Sequence, residues 1–418
     1  MNRTIPSPAL PTLESNGKYY LVLFIFWPFL AFVTALINYS QKEARKVVYI
    51  FLVYYGFTFV LADTGVDAER YAEHLKDIVG VPFSDLFNFA GGLYTETNVD
   101  IIEPLVTFII SRFTDSHGVL FGVYAAMFAF FYLKSINLLY KQYQENTNWN
   151  AHIFLIFFIM IIPITTVSGV RMTIAAWIFF YGAYHAILHR KAWYLLLALS
   201  ASLMHWSFFT ANGILLIYYF AGNRNFIYLP LVIVSFVLPQ IVSPLFQSLA
   251  VMSGGEFQNR YEGYASEGYI QGQAESAESA SWFLVLSGEL VFYFLLAAIV
   301  IIQILNWRQE KDKADKNLFS FLLLFLAFIN FGRIIPTFGG RFSLIFYLFA
   351  TLYIFRYFVK YTGNKLNFLT WAGLFPMALY TAVIFRNGME SMSVFLFSPG
   401  LGVPLLAPAL SLADIFFH

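Results

Sequence analysis

Cysteine is absent from this chain of 418 residues. That removes disulfides, cysteine-ligated zinc and any thiol nucleophile. Charge is scarce as well: 12% of residues are charged and 59% are hydrophobic, against about 25% charged in soluble domains. The net charge of +1 offers no electrostatic footprint for nucleic acid. P-loop, GxSxG, HExxH and dinucleotide signatures are missing. So is a DxD pair of the kind that carries a metal and a nucleotide sugar. The first 18 residues are polar, contain proline, and do not have the form of a cleavable signal peptide. Alternating segments of about ten residues, the mark of a membrane β-barrel, do not occur.

What is abundant is apolar length. Mean hydropathy is +0.66, and apolar runs long enough for a helix to cross about 30 Å of hydrocarbon recur along the chain. The sequence predicts an all-α polytopic integral membrane protein with about 12–14 transmembrane helices in a single membrane domain, 1–418. The expected spans are 19–40, 47–62, 118–139, 151–166, 171–188, 192–204, 206–221, 226–250, 282–305, 318–335, 342–358, 366–385 and 394–413. The run IIEPLVTFIISRF (101–113) is too short to span and is expected to be re-entrant or interfacial. The aromatic excess of 49 Phe and 27 Tyr suits lipid-facing and interfacial positions.

Lysine and arginine concentrate in QKEARK (41–46), LKSINLLYKQYQ (133–144), HRK (189–191), NWRQEKDKADKN (306–317) and RYFVKYTGNK (356–365). These spans put all five segments on one side, the cytoplasmic one by the positive-inside rule. That arrangement requires residues 192–220 to form two short helices with a turn near His205; a single long helix would send the basic 306–317 loop outside. Two acidic loops then face outward: 63–117, carrying the re-entrant segment, and 252–280. Residues 63–103 hold nine carboxylates against Arg70 and Lys76.

On that outer side the unusual polar residues gather. Arg171 follows Gly169 at the start of an inward-running helix, and Arg341 follows Gly339 and Gly340 in the same way. A helix N-terminus with a guanidinium fork suits phosphate oxygens. Two such positions suit the two phosphates of a lipid diphosphate, with Arg333 as a third cation. The bland alternative is that each arginine pairs with a loop carboxylate or snorkels to the interface. His205 sits at the expected helix turn, and Asp67 and Tyr71 are one helical turn apart.

Three blocks resemble the EpsG family of Wzy-type polysaccharide polymerases: ADTGVDAERYAEHL (62–75), SGVRMTIAAWIFFYGAYHAILHRKAWYLLLALSASLMHWSFF (168–209) and GGRFSLIFYLF (339–349). A weaker fourth is EPLVTFIISRF (103–113). Ser168 departs from the asparagine common in the family. The resemblance implies a GT-C-like bundle of the O-antigen polymerase–ligase type, with outer-face loops, in the bacterial inner membrane and with its active site facing outward. It implies a glycosyltransferase that needs no cofactor and generally no metal. Its substrate would be undecaprenyl-diphosphate-linked oligosaccharide, drawn from the membrane lipid. The growing chain would pass to the non-reducing end of a new repeat unit and release undecaprenyl diphosphate. A flippase and a chain-length regulator are the expected protein partners. Arg171, Arg341 and Arg333 are then expected on the diphosphate, Asp67 and His205 as candidate bases, and Tyr71, Arg70 and Glu103 on glycan. Rival expectations are a glycan ligase differing only in acceptor, a membrane O-acyltransferase using His205, and a polysaccharide transporter.

Overall fold

The computed structural model describes residues 18–61, 67–82, 100–237, 248, 258, 271–272, 282–305, 312–333, 336–361, 366–406 and 410–416. Among them it is an all-α polytopic membrane protein, with one isolated antiparallel bridge, Ser393–Ser411. In chain order the helices are α1 (Lys18–Phe26), α2 (Pro28–Ile37), α3 (Lys42–Phe57), α4 (Asp67–Asp77), α5 (Ile102–Ser111), α6 (His117–Glu145), α7 (Trp149–Ile161) and α8 (Val170–Leu188). There follow α9 (Trp193–Met204), α10 (Phe208–Ala221), α11 (Asn225–Val237), α12 (Trp282–Leu305), α13 (Lys313–Gly332), α14 (Pro336–Lys360) and α15 (Asn367–Gly388). Two short turns of helix, α16 (Val403–Leu406) and α17 (Leu412–Phe416), close the chain. Six helical stretches are long and apolar enough to cross a membrane. One of them, Trp149–Leu188, is a hairpin of α7 and α8: Phe158 packs on Trp177 and Phe180, ring centroids 5.6 and 5.2 Å apart.

The basic segments meet at one end of the bundle, as their sequence positions require. Tyr39 lies edge-on to Tyr140, 5.1 Å away. Arg356 donates to Asp315 (2.7 Å) and to Gln142 (3.0 Å), and Lys360 pairs with both Asp312 and Asp315. Asn317 donates to the Ile187 carbonyl at 3.0 Å. These contacts hold the ends of α6, α8 and α14 to the start of α13. Asp312 caps α13 by accepting from the Asp315 N–H, and Asn148 caps α7 by accepting from the Ala151 N–H.

Residues 192–220 do form two helices. α9 and α10 lie antiparallel, with Asn212 donating to the Ala198 carbonyl and to Ser202 Oγ, each at 3.0 Å. The turn between them contains His205. α8 and α9 pack so closely that a methyl group on Gly182 would lie 2.6 Å from the Ala198 backbone nitrogen. From that contact α8 runs about 16 Å back to Arg171 and α9 about 10 Å on to His205, at 1.5 Å per residue. Both side chains therefore reach the same end, opposite the basic one.

Three expected spans change. The first, 19–40, is not one helix but two, α1 and α2, interrupted at Trp27, whose backbone is extended ahead of Pro28. The α7 helix stops at Ile161 because Pro163 cannot continue it, and a 3-10 turn, Ile164–Gly169, leads into α8. Backbone freed by this break is satisfied by side chains: Trp177 Nε1–H donates to the Ile162 carbonyl (3.2 Å) and Tyr380 Oη–H to the Ile161 carbonyl (3.2 Å). The apolar run 394–413 is not a continuous helix. Pro399, Gly400 and Pro404 break it, and it folds back on the bundle, with Gly400 N–H donating to the Phe26 carbonyl (2.7 Å) and Tyr54 Oη–H to the Leu401 carbonyl (2.6 Å). The expected span 226–250 is described only as far as Val237, and most of the acidic loop 252–280 lies outside the described residues.

Candidate active site

The site is centred on a carboxylate that sequence reasoning left in a crowd. Asp100 precedes α5, and its side chain is wholly buried. One oxygen, Oδ2, accepts from Arg171 Nη1–H at 2.9 Å and lies 3.3 Å from His205 Nδ1. The other, Oδ1, accepts from the Trp206 backbone N–H at 2.7 Å. The next residue fastens the same way, Ile101 N–H donating to the Leu203 carbonyl at 2.9 Å. The segment entering α5 is thus stitched to the α9–α10 turn.

Arg171 is the second residue of α8. Besides Asp100, its Nε–H donates to Tyr71 Oη at 2.8 Å, and its guanidinium carbon lies 5.7 Å from the centre of the Tyr71 ring. Tyr71 comes from α4, whose buried face holds Ala68, Tyr71, Ala72 and Leu75. Burial pushes the Tyr71 phenol well above its ordinary range, outweighing the Arg171 charge beside it, so it stays neutral. About a quarter of the Arg171 side chain remains exposed (26%), so the fork is held but reachable.

His205 is buried, and burial holds its imidazole below the usual histidine range. Asp100 pulls upward, while the charges of Arg341 and Arg171 push the same way as burial. Burial also works against the Asp100 carboxylate, yet His205, the Trp206 N–H and Arg171 hold it below the usual carboxylate range. The consistent state is an ionised Asp100 accepting from Nδ1–H of a neutral His205, which leaves Nε2 with a lone pair. Nε2 has no hydrogen-bond partner among the described residues. Ser207 Oγ, in the same turn, is buried and likewise without one.

The other expected site residues sort by placement. Arg341 lies within electrostatic reach of His205 and has no ion pair or hydrogen bond among the described residues. A Cβ on its neighbour Gly340 would meet open space. Arg333 is engaged elsewhere, donating to Glu289 Oε1 at 2.5 Å with its guanidinium 4.4 Å from the centre of the Phe292 ring. Asp67 opens α4 and pairs with Arg70, which is exposed; the Asp67 charge also reaches Tyr71. Glu103, expected on glycan, is instead 2% exposed and turned inward. Its Oε1 accepts from Thr107 Oγ1 (3.1 Å) and Tyr124 Oη (3.3 Å). Burial pushes its carboxyl up to about 7, against those hydrogen bonds and the Arg171 charge. The Glu103–Thr107 spacing of four on a helix was a readable signal for that contact. Nothing in the sequence distinguished Asp100 from the eight other acids nearby.

Chemically, the cluster offers two cations for an anion, one of them without an ion pair among the described residues, beside an imidazole whose Nε2 has no partner among them. Groups of three or more metal-ligating side chains are not found among the described residues. A model of the EpsG family, a Wzy-type polymerase-like family, matches residues 47–398 and so covers most of the chain. No curated protein and no solved structure matches.

Proposed function

The chain belongs to the EpsG family and has a polysaccharide polymerase-like role, and from that premise we propose that it joins oligosaccharide repeat units carried on undecaprenyl diphosphate. The growing chain passes from its lipid to the non-reducing end of a new unit. The observation that carries this reading is that Arg171 and His205 meet on Asp100, with the Arg341 charge acting on His205, at the end opposite the basic cluster.

In the reaction, the acceptor hydroxyl oxygen bonds to the anomeric carbon and the bond from that carbon to the diphosphate oxygen breaks. The electron pair leaves on the diphosphate. Negative charge grows there, and cations already in place stabilise it more in the transition state than in the ground state. Arg171 and Arg341 take that role, with Arg333 held apart by Glu289. The hydroxyl proton passes to His205 Nε2. Asp67, paired with Arg70 at the rim, is the lesser candidate for base and is better placed to steer glycan. The protein works in the bacterial inner membrane with this site facing outward.

The test is a ladder assay with purified protein and synthetic lipid-diphosphate-linked repeat units. Products spaced by one repeat, with release of polyprenyl diphosphate, are the expected outcome. Transfer of a finished chain to a different acceptor, with no ladder, would indicate a ligase instead.

A further inference from the structure

Proton acceptance and leaving-group binding share one carboxylate. Asp100 Oδ2 meets both Arg171 Nη1 and His205 Nδ1, while Oδ1 and the Ile101 N–H lock the same segment to the α9–α10 turn. We propose that Asp100 is a positioning residue that aims the Arg171 fork at the departing diphosphate and sets the His205 tautomer, leaving Nε2 free for the acceptor hydroxyl. This rests on the polymerase reading for its chemistry but not for its geometry.

An imidazole has one proton to place, and the partner of Nδ1 decides where it goes. An ionised carboxylate can only accept, so Nδ1 keeps the proton and Nε2 is the base. An Asn side chain at position 100 could donate its amide N–H to Nδ1 and force the proton onto Nε2, where it blocks proton transfer. Asp100 also supplies the negative charge that steadies the imidazolium formed in the reaction. Among the described residues, the charged groups facing His205 are Asp100 before α5, Arg171 from α8 and Arg341 from α14; Glu103 on α5 acts on Asp100 one step away. Among the described residues, two of these three neighbours are cations, and Asp100 is the one that favours the protonated state.

The test compares Asp100→Asn, Asp100→Glu and wild type in lipid nanodiscs. The first readout is the initial rate of ladder formation against pH. Asp100→Asn is expected to lose about 10²- to 10⁴-fold in turnover, the range of general-base contributions. Its acid limb is expected to move to lower pH, because the imidazolium has lost its counter-charge. Asp100→Glu keeps the charge, so its limb stays in place while turnover falls; it carries the rate test should Asp100→Asn fail to accumulate. The second readout needs no activity: ¹⁵N-histidine spectra, with the His205 signal assigned by its loss in His205→Gln. Wild type is expected to show protonated Nδ1 and bare Nε2, and Asp100→Asn the reverse. Turnover lost with an unmoved acid limb, or a tautomer that ignores position 100, would overturn the inference. If wild type forms no ladder while the His205 tautomer still reverses between wild type and Asp100→Asn, the polymerase reading is overturned and the His205 positioning stands.

Discussion

A guanidinium at the mouth of an apolar helix is costly to desolvate unless its hydrogen bonds are met. Arg171 meets that requirement with Asp100 and Tyr71 while keeping part of its fork open. Arg171→Lys retains a charge but not two parallel donors. We expect it to polymerise more slowly than wild type and faster than Arg171→Ala, read as ladder initial rates at equal protein. The His205 shift gives a second expectation. A base must be neutral to act, and burial lowers the pH at which this imidazole gains a proton. The rate should therefore hold through neutral pH and fall only as pH drops below about 6.5, the unperturbed histidine value; a limb above that value would contradict the assignment. Arg171 and His205 were legible in sequence because an ionisable group bordering a long apolar helix stands out. Asp100 was not, because only its tertiary contact with residues 203–206 separates it from its acidic neighbours.

α8 and α9 deliver those two side chains, and their spacing depends on one missing side chain. Gly182 lets the helices approach, since a Cβ there would lie within 3.0 Å of Ala198 backbone atoms and the Tyr194 carbonyl. Backbone cannot rotate aside, so Gly182→Ala should destabilise by about 1–3 kcal/mol, as overpacking does, and lower polymerising rate by splaying the Arg171 and His205 ends. Gly213 on α10 is the control: a Cβ there meets nothing within 4 Å. Gly213→Ala should be neutral or stabilise by about 0.5–1 kcal/mol through helix propensity. Thermal unfolding in detergent reads both. Apolar length revealed most of these helices but not where the chain folds back. The 394–413 run looked like a span because hydropathy ignores the helix-breaking effect of its Pro and Gly residues. By contrast, the α9–α10 pair followed from keeping the basic loops together, a constraint on the whole chain rather than on the helix itself.

At the scale of the molecule, charge divides the bundle. Lys360, Arg356, Asp312 and Asp315 lock one end, and the Asp100 cluster occupies the other. Exposed apolar side chains such as Phe226, Ile233, Ile304, Trp371 and Phe375 cover the outside of α11, α12 and α15, where lipid would lie. The native chain has no cysteine, so single cysteines report topology directly. Asn387→Cys, exposed at the site end, should react with a membrane-impermeant maleimide in intact cells; Gln144→Cys, exposed at the basic end, should react only after permeabilisation. The reverse pattern would place the site in the cytoplasm. The most direct measurement of the central claim is product length from purified protein given lipid-diphosphate-linked repeat units, with Arg171→Ala and Arg341→Ala run alongside. The account predicts a ladder and free polyprenyl diphosphate from wild type, and a rate at least about a hundredfold lower from each variant, the cost of one lost charge-stabilising donor. Ladders of unchanged rate and length from both variants would contradict it.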